Sequence, residues 1–151
     1  YGPKKRLLPQ WFDNIKEMQF WNYWPMDKED KSKLLESFAN VRPYLLKALD
    51  CGKKEKMPLL VKYFPECLLG SYKESLENSQ CETIIDDSFW KFYNNNEFGQ
   101  CIYRDKCSSN RCSGLTTAYI KRFGWDECIL APLNSSVSKK VNPSKNAASS
   151  I

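Results

Sequence analysis

The chain has 151 residues, 42% of them hydrophobic and 27% charged, a length and balance that suit one globular domain and exclude wholesale disorder. Of 23 basic side chains, Lys4, Lys5 and Arg6 lie at one end and Lys139, Lys140 and Lys145 at the other, so residues 11–133 carry 17 against 18 acids. A nearly neutral body with basic ends argues against specific nucleic-acid recognition, and no apolar run approaches the roughly 18 residues of a membrane span.

Leu8, Trp11, Phe12, Ile15, Met18 and Trp21 keep a three-to-four-residue spacing that predicts a helix over 9–24, ended by Pro25. Asp27 to Asp30 place acids ahead of the next helix, whose stripe is Leu34, Phe38, Val41, Leu45 and Leu49, with Leu35 and Leu46 beside it. Pro43 is expected to kink or split that helix near Arg42. Gly52 to Lys56 predicts a turn, Pro58 to Phe64 a short helix, and Pro65 the start of another carrying Leu68, Leu69, Tyr72 and Leu76. Ser79-Gln80-Cys81-Glu82 has capping-box spacing and predicts a helix through Ile85, Phe89 and Phe92, ended by Asn94-Asn95-Asn96. Residues 99–114 lack apolar periodicity and predict a loop fixed by disulfides, with a minor hairpin near Gln100–Arg104 left open. Leu115, Ala118, Tyr119 and Phe123 predict a last helix closed by Gly124. Beyond it, residues 134–151 predict a disordered tail. No run alternates with period two, so the expected fold is all-α: one compact, disulfide-stabilised helical domain over 1–133.

Seven cysteines carry the disulfide expectation: Cys51, Cys67, Cys81, Cys101, Cys107, Cys112 and Cys128. None forms a Cys-x-x-Cys pair, which points to an oxidising compartment and a secreted, extracellular protein. The densest group, Cys101-x5-Cys107-x4-Cys112, would need a fourth ligand and tighter spacing to hold zinc. Disulfide anchoring is therefore expected there, with no metal and no cofactor, each bridge contributing about 3 kcal/mol. The odd cysteine, assigned to Cys107 or Cys112, is either a buried thiol or a link to a second copy in a dimer. Fifteen residues separate Cys51 from Cys67, and fifteen separate Cys112 from Cys128; both intervals close on Glu-Cys-aliphatic-Leu. That echo suggests two degenerate tandem units, around 30–81 and 82–130. Asn134-Ser135-Ser136 is a glycosylation sequon.

The chain contains no histidine. Its absence removes the commonest general acid/base, the usual partner of a nucleophilic Ser or Cys, and the commonest metal ligand. The carboxylates Asp86, Asp87 and Glu82 read as a solvated helix face, and the six glycines are too scattered for a phosphate loop. No catalytic residue is assigned. Attention moves to the aromatic run Trp11, Phe20, Trp21, Tyr23 and Trp24. The adjacent pairs Phe20-Trp21 and Tyr23-Trp24 cannot all face one way, so Phe20, Trp21, Tyr23 and Trp24 are the expected partner surface.

Two resemblances bear on function. Asn22-Tyr23-Trp24-Pro25, and Asp87-Ser88-Phe89-Trp90-Lys91 ahead of Cys101, faintly resemble the two motifs of the plant self-incompatibility type of acid ribonucleases. The catalytic histidines of those motifs are missing, which implies a dead relative. Cys51…Tyr63…Cys67 and Cys101-Ile102-Tyr103…Cys107 resemble the paired Cys…Tyr…Cys units of the BICYCLE family of aphid salivary proteins. That resemblance, with Tyr63 and Tyr103 as motif tyrosines, implies an effector delivered into plant tissue without catalytic activity. The expectation is a secreted, non-enzymatic protein that binds a host protein through its surface. The alternatives are a helical carrier of a small apolar ligand and the dead ribonuclease relative.

Overall fold

The computed structural model describes residues 14–78 and 85–134, and these form a mixed α and β arrangement in place of the expected all-α one. The elements, in chain order, are β1 (Met18–Trp21), α1 (Phe38–Lys54), β2 (Leu59–Lys62), α2 (Asp87–Asn95) and α3 (Thr117–Phe123). Short 3-10 turns at Glu66–Leu68, Gly70–Ser75 and Arg104–Lys106 fill the connections.

Within the expected helix over 9–24, the described residues form β1 at Met18–Trp21 with no α-helix around it; Leu8, Trp11 and Phe12 lie outside the described residues. The expected helix over 58–64 is β2. The two strands pair in parallel, Met18 opposite Leu59 through Trp21 opposite Lys62. The Met18 N–H donates to the Pro58 carbonyl and the Asn22 N–H to the Lys62 carbonyl, both at 3.0 Å. Parallel neighbours need a long crossover, and α1 supplies it. Val61 also bridges Leu76, so β2 is held on both sides while β1 is the outer strand.

Helix α1 begins later than its apolar stripe. Ser37 is the N-cap and accepts the Asn40 N–H at 3.2 Å. Leu34 falls before the helix and is exposed. Asp30 does not cap α1; its carboxylate accepts the Leu34 and Leu35 N–H groups at 3.2 and 3.0 Å and folds the approach. The helix runs on through Pro43, whose missing N–H neither splits nor ends it, and buries Phe38, Leu45, Leu49 and Gly52. Gly52 is thus inside the helix and not in a turn. A Cβ there would stand 2.6 Å from the Leu59 side chain, so the absence of one lets β2 close on α1.

The capping box at Ser79–Glu82 lies outside the described residues. Helix α2 starts at Asp87 with Asp86 as its cap, accepting the Ser88 N–H at 2.8 Å, and ends at Asn95 as its asparagines predict. Thr116 caps α3, and Gly124, at φ 80°, closes it. The suggested hairpin is reduced to one antiparallel bridge, Gln100 with Leu115.

The core joins these elements around Phe38, Leu49, Val61, Phe64, Leu68, Leu69, Leu115 and Tyr119. Phe38 stacks on Tyr119 at 4.5 Å and meets Phe64 edge-on at 4.9 Å. The disulfide framework is not found: Cys51, Cys67, Cys101, Cys107, Cys112 and Cys128 are all free thiols, and Cys81 lies outside the described residues. Ordinary side-chain packing therefore accounts for the described core.

Candidate functional site: an aromatic-rimmed groove

The four aromatics singled out in the sequence take different places. Trp24 turns inward, with its ring 5.6 Å from Tyr63, 5.4 Å from Tyr93 and 5.3 Å from Phe98, each edge-on. Phe20 is half-buried against the core. Trp21 and Tyr23 are exposed, as the alternation of side chains along a strand requires when Phe20 faces inward.

Trp21 and Tyr23 border a groove of about 580 Å³ that also receives Leu34 and the α1 residues Val41, Tyr44, Leu45 and Ala48. The spacing of those four is the i, i+3, i+4, i+7 pattern of one helix face. Phe20, Val61 and Phe64 add to the apolar lining, and Gln19, Asn22 and Glu36 are its polar members. Trp21, Tyr44 and Leu34 are 60%, 78% and 64% exposed and come from three separate segments. Sequence reasoning put Leu34 on the buried stripe and did not single out Tyr44.

Trp21 is held in position. Its indole N–H donates to Gln19 Oε1 at 2.8 Å, the Lys62 ammonium lies 4.9 Å over its ring, and Tyr63 meets it edge-on at 6.0 Å. The Tyr23 hydroxyl bonds Ser32 Oγ at 2.9 Å. Tyr63, one of the two motif tyrosines, is buried at φ 58° and turns the chain at the end of β2. Its N–H donates to Asn78 Oδ1 at 2.9 Å, and Asn78 Nδ2 donates to the Arg111 carbonyl at 2.8 Å. The end of β2 and the cysteine loop are thereby tied to one asparagine.

The cysteine constellation lies elsewhere. Cys101, Cys107 and Cys112 are joined by Cys67 around an enclosed cavity of about 20 Å³. Glu66, buried beside Cys67, accepts from Ser109 Oγ and pairs with the Arg111 guanidinium at 3.3 Å, which fastens the turn at 66–68 to the loop. Burial pushes the Cys67 and Cys112 thiols up, with neighbouring thiols adding to the effect. Tyr103, the other motif tyrosine, also lines this cavity. Cys51 and Cys128 are exposed and are better placed for a link to a second copy than Cys107 or Cys112. Asn134 is exposed.

No catalytic constellation is assembled from the acids considered. Asp86 and Asp87 are exposed at the start of α2; the Ser88 hydroxyl and N–H hold the Asp86 carboxyl below its ordinary value. Glu82 lies outside the described residues. Of the segments that resemble the ribonuclease motifs, Trp24 of the first meets Tyr93, which lies two residues beyond the second. Among the described residues, the larger depressions are open to solvent, and the smaller voids beside the cysteine loop and beneath Trp24 measure about 20 and 10 Å³, room for about one water. Among the described residues, no group of three or more His, Cys, Asp and Glu is placed to hold a metal ion, and no helix is long and apolar enough to cross a membrane.

No protein-family model matches the chain, and neither a curated protein nor a solved structure matches it.

Proposed function

We propose that this chain is a non-enzymatic binding protein whose groove receives an extended apolar segment of a partner protein laid along β1. The supporting observation is that Trp21, Tyr44 and Leu34, all strongly exposed, converge from three segments on one groove. Large apolar side chains gathered on one open patch mark interaction sites, and Trp and Tyr dominate the energetics of such surfaces.

The strand supplies the second half of the reading. Met18 and Asn22 direct their N–H groups at β2, so the alternation along β1 turns those of Gln19 and Trp21 to its outer side. That edge pairs with no strand among the described residues. An extended peptide would hydrogen-bond there and place alternate apolar side chains in the groove. On the effector reading, carried by the resemblance to the aphid salivary family, the partner is a host protein and the chain acts after secretion.

Selection of random peptides displayed on phage against the full chain tests this. The expected outcome is enrichment of sequences with apolar residues at every second position. Their affinity should fall at least about tenfold in Trp21→Ala and in Tyr44→Ala. Enrichment of nothing, or of peptides indifferent to both substitutions, would refute the proposal.

A further inference from the structure

One face of β1 carries opposite charges at its two ends. Glu17, Gln19, Trp21 and Tyr23 are exposed, while Met18, Phe20 and Asn22 between them are half-buried, so the first set shares the outer face. Hydrogen bonds run along that row: Gln19 Nε2 donates to Glu17 Oε1 at 2.6 Å, and the Trp21 indole N–H donates to Gln19 Oε1 at 2.8 Å. They keep the Glu17 carboxylate in line with Trp21. At the other end, Lys62 stands beside Trp21 in register and lays its ammonium 4.9 Å over the indole ring, leaning from β2 onto β1. Among the described residues, no cation forms an ion pair with Glu17 and no carboxylate with Lys62.

A segment extended along the free edge of β1 sends alternate side chains to opposite sides. One set enters the groove, toward Phe20 and Val61. The other set lies beside Gln19 and Trp21, within reach as cross-strand neighbours. In that second set, the position opposite Trp21 faces the Lys62 ammonium and the position opposite Glu17 faces its carboxylate. The two positions are four residues apart, about 13 Å at the rise of a strand. The residues that enter the groove are the second and fourth of the five.

We propose that the partner segment carries an acidic and a basic residue four positions apart, with apolar residues at the second and fourth positions of that stretch; this rests on the groove reading above. Lys62 selects the acid and Glu17 the base. With the acid first, the segment runs antiparallel to β1; with the base first, it runs parallel. Charges at such a rim act mainly as selectors, because a like charge set against them is repelled while a matched, exposed pair adds little.

The test uses capped synthetic peptides with the core Glu-Val-Thr-Val-Lys, Lys-Val-Thr-Val-Glu or Gln-Val-Thr-Val-Gln, titrated against the full chain by fluorescence anisotropy. One of the two charged cores should bind at least about fivefold more tightly than the neutral one at low ionic strength, and high salt should remove most of that advantage. Lys62→Glu should abolish the preference, and replacing the acid of the favoured core by Lys should restore it. The neutral core should bind wild type and Lys62→Glu alike, which separates a change of charge from a disturbance of Trp21. Glu17→Lys repeats the test from the other end, restored by replacing the base of the favoured core by Glu. Equal binding of all three cores, or a preference that neither substitution moves, would overturn the charge rule and leave the groove reading standing. Failure of all three to bind would count against the groove itself, and this inference would fall with it.

Discussion

The Tyr119 hydroxyl accepts the Phe38 backbone N–H at 2.7 Å and donates its own hydrogen to the Asp126 carboxylate. Phe38 opens α1, where an N–H has no partner within the helix, and Tyr119 belongs to α3. One phenol therefore satisfies the start of one helix from the face of another, while its ring stacks on Phe38. Burial and the bond to Asp126 push the Tyr119 phenol well above its ordinary value, so it stays neutral and able to donate. Tyr119→Phe keeps the ring and strands a buried N–H. The expected loss is about 1–3 kcal/mol in urea denaturation; a change below about 0.5 kcal/mol would show that the hydroxyl contributes little.

Asp30 contributes to the acid limb, alongside the depressed carboxyls of Asp27, Asp86 and Glu97. Burial opposes its ionisation, but the N–H groups of Leu34 and Leu35, the Ser32 hydroxyl and the Arg122 guanidinium outweigh it and hold the carboxyl below its ordinary 3.8. A carboxyl depressed in the folded state adds stability that is fully present above the unfolded pKa and lost as pH falls through the folded one. Stability should therefore drop below about pH 4. Asp30→Asn should lower stability at pH 7 and flatten that drop, measured by thermal denaturation from pH 7 to 2. An unchanged slope would contradict this assignment.

Gly114 and Gly70 make a matched pair. Both have positive φ, 60° and 57°, but a Cβ on Gly114 would lie 2.7 Å from the Gly99 backbone, whereas one on Gly70 meets nothing within 4 Å. Gly70→Ala should cost about 1 kcal/mol, the strain of a left-handed alanine. Gly114→Ala adds a backbone clash next to Cys112 and should cost at least about 2 kcal/mol more. Equal effects in denaturant would show that the close approach of residues 99 and 114 is not rigid.

Glu66 is buried beneath a half-exposed Arg111, which also reaches the Lys73 carbonyl at 2.9 Å and Glu74 at 3.3 Å. Removing the arginine leaves a buried carboxylate with only Ser109 for support, a costly arrangement even where an intact pair adds little. With solvent screening at the exposed partner, a double-mutant cycle of Glu66→Gln and Arg111→Ala should give a coupling of about 1–2 kcal/mol. A coupling near zero would mean that the loop is held by other contacts.

The two ends of this fold differ in how far they can be read from the sequence. Helices α1 and α3 are visible because of their apolar stripes, and Gly124 marks the end of the second, whereas their caps Ser37 and Thr116 are not singled out in the sequence. The strands are not visible, because four residues cannot establish a period. Met18 and Trp21 lie three apart and extend a helix-like spacing begun by Trp11, while the apolar run Leu59–Val61 between prolines reads equally as a helix turn. What makes them strands is the pairing of β1 with β2 across α1, a long-range interaction that local propensity does not encode. For the groove, Trp21 and Tyr23 are legible as an exposed pair, but Tyr44 and Leu34 join them only in the fold, where α1 packs against β2 and the segment before it reaches the same groove. The same applies to Cys67, which no spacing in the sequence groups with Cys101, Cys107 and Cys112 although all four line one small cavity.

The central claim is that a partner segment lies along the outer edge of β1, and amide hydrogen exchange resolved to single residues tests it most directly. With a groove-selected peptide bound to the full chain, the Gln19 and Trp21 amides should gain protection of at least about tenfold, while Met18 and Asn22, already bonded to β2, change little. Binding that leaves Gln19 and Trp21 exchanging as in the free protein would contradict the account.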